Sequence, residues 1–209
     1  MKRAPLVHGG VFSDEAFARE YARRHRKMAE GFGDVYAGKL ARYGFVRGRI
    51  LDAGCGFGAT VSRLARLLPE AELVGVDLSE PLLTLAREET VGAEGELRIR
   101  FEKANVQAIP YGDDSFDVVI SANMAHLVED PVAMLDELER VLAPGGFLFV
   151  ADLRRTWLGW VEREIRSALT MREVRDLLAR SRVRPGTLRA GLLWWRFESN
   201  PTPAAERGV

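Results

Sequence analysis

Cysteine, lysine, net charge and long apolar runs are all scarce in this sequence. Cys55 is the single cysteine among 209 residues, which excludes an intrachain disulfide and a multi-thiolate metal site. Thirty Lys and Arg are balanced by thirty Asp and Glu. The basic excess that binding to nucleic-acid phosphates calls for is therefore missing, and no nucleic-acid partner is expected. Only four of the thirty cations are lysines, Lys2, Lys27, Lys39 and Lys103, a bias that says little about function. No stretch approaches the roughly 18 apolar residues that span a bilayer, and Met1–Gly10 lacks the apolar core of a signal peptide. The expectation is a reduced, cytoplasmic protein with no membrane span. What is present, 47% hydrophobic and 29% charged residues, is the composition of a globular domain with a substantial core, not of a disordered chain.

Strand-like apolar runs alternate with helix-periodic segments, the pattern of an α/β layer fold. Strands are expected at Arg49–Ala53, Glu72–Asp77, Leu97–Lys103, Phe116–Ser121 and Gly146–Asp152, several of them apolar throughout, as parallel strands covered on both faces are. Between them, Val61, Leu64, Ala65 and Leu68 and later Leu135, Leu138 and Leu142 fall at helical spacing. Ser79 ahead of Pro81 predicts a helix start. Upstream, Phe17, Tyr21, His25, Met28 and Phe32 form one helical stripe, and a second short helix is expected near Val35–Tyr43. Downstream, a Trp-bearing segment at Trp157–Arg166 precedes a helix at Thr170–Ser181. An antiparallel pair then follows, Val183–Ala190 and Leu192–Glu198 about Gly191. The expected organisation is an N-terminal helical cap over residues 1–44, a core over 45–199 and a tail over 200–209.

The most informative stretch is Ile50-Leu51-Asp52-Ala53-Gly54-Cys55-Gly56-Phe57-Gly58. It follows a strand and opens a helix. Its glycines permit a tight turn and close approach of a ligand to backbone N–H groups. Nineteen residues beyond Gly58, Asp77 ends the second strand, where a carboxylate can accept both hydroxyls of a ribose. Dinucleotide sites use the same logic, but Gly-x-Gly-x-Gly is not the Gly-x-Gly-x-x-Gly spacing that seats a pyrophosphate, and Asp52 stands two positions before the first glycine.

Further along come Asn105-Val106-Gln107-Ala108-Ile109-Pro110-Tyr111, then Asp114-Ser115-Phe116-Asp117-Val118-Val119, then Glu139-Arg140-Val141-Leu142-Ala143-Pro144-Gly145-Gly146. In that order and spacing the set resembles the class I S-adenosylmethionine (SAM)-dependent methyltransferases, in particular the small-molecule branch of quinone and sterol (UbiE-like) methyltransferases. The resemblance covers about residues 45–155. It implies a Rossmann-like seven-stranded sheet of order 3-2-1-4-5-7-6 with an antiparallel last strand. By the family pattern Asp52, Gly54, Cys55 and Gly56 line the methionine end of SAM, Asp77 takes the ribose and Leu78 packs on the adenine. Asn105 and Val106 read the adenine edge, and Ser121 and Ala122 border the sulfonium. Position 105 commonly holds Asp in this family; Asn keeps the acceptor oxygen.

The remaining candidates carry two readings each. Cys55 reads as a small residue between glycines, since no base matches it as a nucleophile. His126, in Ser121-Ala122-Asn123-Met124-Ala125-His126-Leu127, is either a loop hydrogen-bonding residue or a substrate contact and base. Tyr21 and His25 are either packing or substrate contacts, as are Asn123 and Trp157, the last with Trp160 as a wall of an apolar pocket. Trp194 and Trp195 read as structural. Arg154 is a candidate for an anionic substrate group. The expected function is methyl transfer from SAM to a small, partly apolar acceptor; the alternatives are a SAM-binding sensor or scaffold without catalysis and, more weakly, an NAD-dependent oxidoreductase. The Asn123-Met124-Ala125-His126 segment, in place of an Asp/Asn-Pro-Pro-Tyr motif, argues against methylation of nucleic-acid bases or glutamine.

Overall fold

The computed structural model describes residues 14–91, 98–156 and 163–199. The chain divides into two compact units, one ending at Asn105 and the other starting at Val106.

In the first unit the two expected N-terminal helices are one, α1 (Glu15–Arg42), whose start is fixed by the Asp14 carboxylate accepting from Phe17 N at 2.7 Å. Gly31, Gly33 and Gly38 lie inside it, and one of them packs. A Cβ on Gly33 would come within 2.7 Å of the Arg63 Cβ, so glycine lets α1 settle onto the next helix. That helix, α2 (Ala59–Leu67), follows strand β1 (Arg47–Ala53). Strand β2 (Glu70–Asp77), helix α3 (Glu80–Thr90) and strand β3 (Ile99–Lys103) complete the unit. Strands β1, β2 and β3 are parallel, with Leu51 opposite Val74 and Gly75 opposite Phe101. Ser79 caps α3 as expected, its hydroxyl accepting from Leu82 N at 3.3 Å. Helix α1 packs on both α2 and α3.

The second unit runs through β4 (Phe116–Ala122), α4 (Pro131–Arg140), β5 (Leu142–Leu153), α5 (Arg163–Ser167), α6 (Met171–Arg180), β6 (Gly186–Ala190) and β7 (Trp194–Ser199). Strand β5 begins four residues before the expected Gly146. Leu142 already pairs with Phe116, and the register shifts between Phe116 and Val118. Gly146 is needed there, since a Cβ would lie 2.7 Å from the Asp117 carbonyl oxygen. The expected antiparallel pair is present as β6 and β7, closed by Gly191 N donating to Trp194 O at 2.7 Å. Trp195 is wholly buried while its neighbour Trp194 is half-buried, consistent with opposite faces and structural roles. Trp157 and Trp160 lie outside the described residues. Arg140 at the end of α4 ties down the segment before β4. It donates to the carbonyls of Ile109 (3.0 Å) and Tyr111 (2.8 Å) and to the carboxylates of Glu137 and Asp113, while Glu137 accepts from Ile109 N.

Together the strands form a seven-stranded mixed sheet of order β3-β2-β1-β4-β5-β7-β6, with β7 antiparallel to β5 and β6. This is the order the resemblance implied. Among the described residues no helix is long and apolar enough to cross a membrane.

The packing of α1 separates its glycines. Gly31 and Gly38 have nothing within 4 Å of an added Cβ, so Gly31→Ala or Gly38→Ala should stabilise the fold by about 0.5–1 kcal/mol through helix propensity alone. Gly33→Ala should lower stability despite the same propensity gain, because its methyl meets Arg63. Urea unfolding midpoints of the three variants check both signs.

Candidate functional site

The first unit gathers Asp52, Gly54, Cys55, Gly56, Asp77, Leu78 and Asn105 at the carboxyl ends of its strands. Gly54, Gly56 and Gly58 all have left-handed backbone, with φ of 85°, 53° and 74°, which side chains rarely tolerate. The turn grips the neighbouring strand, since Gly54 N and Cys55 N both donate to Val76 O at 2.8 and 3.0 Å. At Gly58 a Cβ would strike Ala86 and Phe101 at 2.7 Å, so glycine there serves packing. At Gly56 the nearest atom to an added Cβ is a Leu82 methyl at 3.9 Å, which leaves room against the loop. The Asp77 carboxylate ends β2 and accepts from Gly56 N and Ser79 N, each at 2.9 Å. Ala104 N donates to Asp77 O at 3.0 Å, bringing half-buried Asn105 to the same strand end. Leu78 beside it is 59% exposed, an apolar side chain left in the open.

Asp52 carries the electrostatic strain of this loop. It is 4% exposed, and among the described residues its carboxylate has neither a hydrogen-bond donor nor a cation. Burial, with the Asp77 carboxylate as a smaller cause, pushes its pKa up to about 7. The Asp77 pKa is also raised by burial, opposed by its bonds to the backbone N–H groups of Ser79 and Gly56. Burial and these two carboxylates push the Cys55 thiol up, so it stays protonated and donates to Gly56 O at 3.7 Å.

Tyr21 and His25 lie on α1 and reach the loop through Phe57. Their rings stack at 4.2 Å, His25 Nδ1 bonds Tyr21 O at 2.9 Å, and Tyr21 meets Phe57 edge-on at 6.2 Å. Ala18, Ala22, Phe57, Ala59 and Leu82 form one buried cluster beneath them. Arg26 lies over Phe57 at 5.9 Å and pairs with Glu89 of α3. Phe57 and Arg26 were not singled out from the sequence. Both stand in or beside patterns that were, Phe57 inside the glycine run and Arg26 next to the stripe residue His25.

The second unit holds Val106, Ser121, Ala122, Asn123 and His126; Trp157 lies outside the described residues. Val106 is buried, as is Ser121 at the end of β4, and Ala122 is half-buried. Asn123 takes left-handed backbone at φ 63°, donates its N–H to Ala151 O at 2.8 Å, and buries an Oδ1 that has no hydrogen-bond partner. His126 is 2% exposed and sits on Asp152 of β5, which is 0% exposed. One oxygen of Asp152 accepts from His126 N at 2.8 Å, the other lies 2.6 Å from the ring Nδ1 and accepts Leu153 N at 2.6 Å. Asp152 escaped notice in the sequence, though a carboxylate closing an otherwise apolar strand was a signal for it. Arg154, the candidate for an anionic group, instead donates to Gly191 O at 2.8 Å. Its neighbour Arg155 is the buried guanidinium, paired with Glu173 of α6 at 2.6 Å, with Nη1 lacking a hydrogen-bond partner. Among the described residues no group of His, Cys, Asp and Glu could hold a metal ion.

Residues 51–150 match the family described as "Methyltransferase domain". Demethylmenaquinone methyltransferase of Thermus thermophilus is 41% identical over 104 residues, which are 50% of this chain and 46% of that protein. Methyltransferase GfsG of Streptomyces halstedii is 34% identical over 151 residues, 70% of this chain and 50% of that one. The chain spans a quarter to a half of the length of the curated relatives it matches. Among solved structures, a SAM-dependent methyltransferase from Aquifex aeolicus superposes with a TM-score of 0.68 at 21% identity, covering 88% of this chain and 97% of that one. Sheet order, the glycine turn between β1 and α2 and the matched span agree in likening this chain to the class I SAM-dependent methyltransferases.

Proposed function

We propose that the chain binds SAM at the carboxyl ends of β1, β2 and β3 and transfers its methyl group to a small, partly apolar acceptor. The observation that carries the reading is Asp52, a buried carboxylate with no cation or donor of its own among the described residues. An unpaired buried carboxylate is costly, and a ligand ammonium beside it relieves that cost. The amino group of SAM's methionine end supplies such a cation. Gly54, Cys55 and Gly56 then offer backbone beside it, with room at Gly56. The Asp77 carboxylate takes the ribose hydroxyls, Leu78 covers the adenine with the apolar surface it now exposes, and Asn105 accepts from the adenine amine.

When bound, SAM supplies a methyl on a cationic sulfur, open to in-line displacement by a lone pair of the acceptor. What the chain adds is positioning and exclusion of water, since a neutral thioether leaves without an acid. Where the acceptor carries a proton that must depart, His126 receives it. Asn123 contacts the same acceptor through its Oδ1. Relatives are named for demethylmenaquinone, for ubiquinone biosynthesis and for 27-O-demethylrifamycin SV, which supports a hydroxylated, largely apolar ring as the acceptor. Tyr21 and His25 act through Phe57, bracing the glycine loop from α1. The cytoplasm is the proposed location.

Calorimetric titration with SAM, followed by a screen of phenols and quinols for S-adenosylhomocysteine release, tests the reading. Binding with turnover on at least one hydroxylated ring is expected; absence of SAM binding overturns it. Asp77→Ala should weaken SAM binding roughly ten- to hundredfold, the worth of about 1.5–3 kcal/mol of charge-assisted hydrogen bonding. Its circular dichroism should be checked alongside, because Asp77 also holds Gly56 N and Ser79 N.

Asp52 adds a pH dependence with a definite sign. Its folded pKa of about 7 exceeds the ordinary 3.8, so the ligand-free fold binds the extra proton between those values. Its contribution to stability therefore falls as pH rises through that window. Asp52→Asn should remove this slope and raise the urea midpoint above pH 7. An ammonium ligand requires the ionised form, so SAM affinity should drop roughly ten- to thirtyfold between pH 7.5 and pH 5.5, with a proton released on binding at the lower pH. Titrations in two buffers of different ionisation enthalpy read both effects.

A further inference from the structure

The geometry points to Asp152 as a positioning residue that holds His126 in the tautomer with the proton on Nδ1, so that Nε2 is the ring's proton acceptor. The inference rests on the proposed role of His126 in accepting a proton from the methyl acceptor and names what prepares the ring for it.

Asp152 lies at 0% exposure near the carboxyl end of β5, and His126 at 2% in the loop after β4. Both oxygens of the carboxylate are committed. One accepts the backbone N–H of His126 at 2.8 Å, and the other accepts Leu153 N at 2.6 Å while lying 2.6 Å from Nδ1. Each oxygen already faces a backbone N–H as an acceptor, so the carboxylate meets Nδ1 as an acceptor too, and the short contact places the proton on the ring nitrogen. In the neutral imidazole Nε2 is then the acceptor. The backbone bond from the same residue fixes the distance at which the ring hangs from β5, so the carboxylate sets tautomer and orientation together. The wider loop is held independently, with Asn123 N on Ala151 O at 2.8 Å and Leu127 N on Met124 O at 2.8 Å. One two-pronged carboxylate thus determines which nitrogen acts.

The step this serves is a proton transfer. The O–H or acidic C–H bond of the acceptor breaks, its electron pair stays on the oxygen or carbon, and the proton bonds to Nε2. Asp152 keeps its charge and takes no proton. The imidazolium that forms, with Nδ1–H still facing the carboxylate, is stabilised where it stands. A ring with the proton on Nε2 could not accept there, and it would set an unprotonated Nδ1 against a carboxylate oxygen.

The chain has three histidines, His8, His25 and His126, so two-bond nitrogen–carbon NMR correlation on ¹⁵N-labelled full-length protein resolves each ring, with His126→Gln used for assignment. In the wild-type protein the His126 Nδ1 should keep a protonated-nitrogen shift from pH 5.5 to 9, while Nε2 alone moves if the ring titrates. A wild-type Nε2–H tautomer, or averaging of the two nitrogens, overturns the proposal without any variant of Asp152. In Asp152→Asn one carboxamide group faces either the His126 backbone N–H or the ring. The Nδ1 shift should move toward the unprotonated range or toward an average, whereas Asp152→Glu, which keeps an acceptor oxygen, should retain at least half of the wild-type Nδ1–H population. An unchanged tautomer in a folded Asp152→Asn protein also overturns the proposal. SAM titration of the same samples separates the two claims. The expected tautomer without SAM binding sinks the proposed function and leaves the Asp152–His126 assignment standing; SAM binding with the wrong tautomer does the reverse.

Discussion

The turn from β1 into α2 buries a carboxylate beside a second carboxylate and gives it nothing to pair with among the described residues. Most features of the first unit make sense as consequences of that constraint. Left-handed glycines at 54, 56 and 58 keep side chains from crowding the turn. Two N–H groups of the loop go to Val76 O rather than to Asp52, so the backbone is satisfied and the carboxylate is not. Asp77 has two backbone donors, which hold part of its charge. A buried carboxylate without a donor among the described residues places a specific demand on what enters the site. The demand is for a cation with hydrogen-bond donors, which fits the ammonium of an amino acid and not a pyrophosphate.

The long helix α1 belongs to this loop mechanically. Its stripe of Ala18, Ala22 and Tyr21 meets Phe57, the one large apolar side chain between the loop glycines, and Leu82 of α3. Arg26 adds a face-on contact to the same ring and an ion pair to α3. A loop made of three glycines has high conformational entropy when free. Packing one of its residues under a helix is a direct way to remove that freedom. An α1 held so closely that Gly33 has no room for a methyl behaves as part of the loop's support.

How much of this was legible in the sequence follows from which interactions are local. The glycines, Asp52 and Asp77 were readable because backbone conformation and strand ends impose residue types at fixed spacing. The sheet order entered through resemblance, since pairing across a sheet leaves no local trace. Two N-terminal helices were expected where there is one; propensity disfavours Gly31, Gly33 and Gly38 inside it, and at Gly33 the close approach to Arg63, which no local pattern shows, accounts for the glycine. Arg154 was a candidate for an anionic group because it follows the fifth strand, and the sequence does not show which of Arg154 and Arg155 turns inward. The structure buries the second against Glu173 and leaves the first at Gly191. Asp152 was seen as the end of a strand, because its meaning depends on a histidine 26 residues earlier in the chain.

Asp52 and Asp152 make a controlled comparison within one chain. Each is an aspartate at or near the carboxyl end of an apolar strand, and each is at least 96% buried by surface. Asp152 accepts two backbone N–H groups and lies 2.6 Å from the His126 ring Nδ1. Among the described residues Asp52 accepts none, and burial drives its pKa to about 7. The same side chain in the same kind of position is therefore saturated at one strand end and unsatisfied at the other. A carboxylate bonded in this way is suited to fixing what it holds, which here is an imidazole. An unsatisfied one fixes nothing and is available for what arrives. Hydrogen-bond satisfaction, not residue type or burial, is what distinguishes these two aspartates.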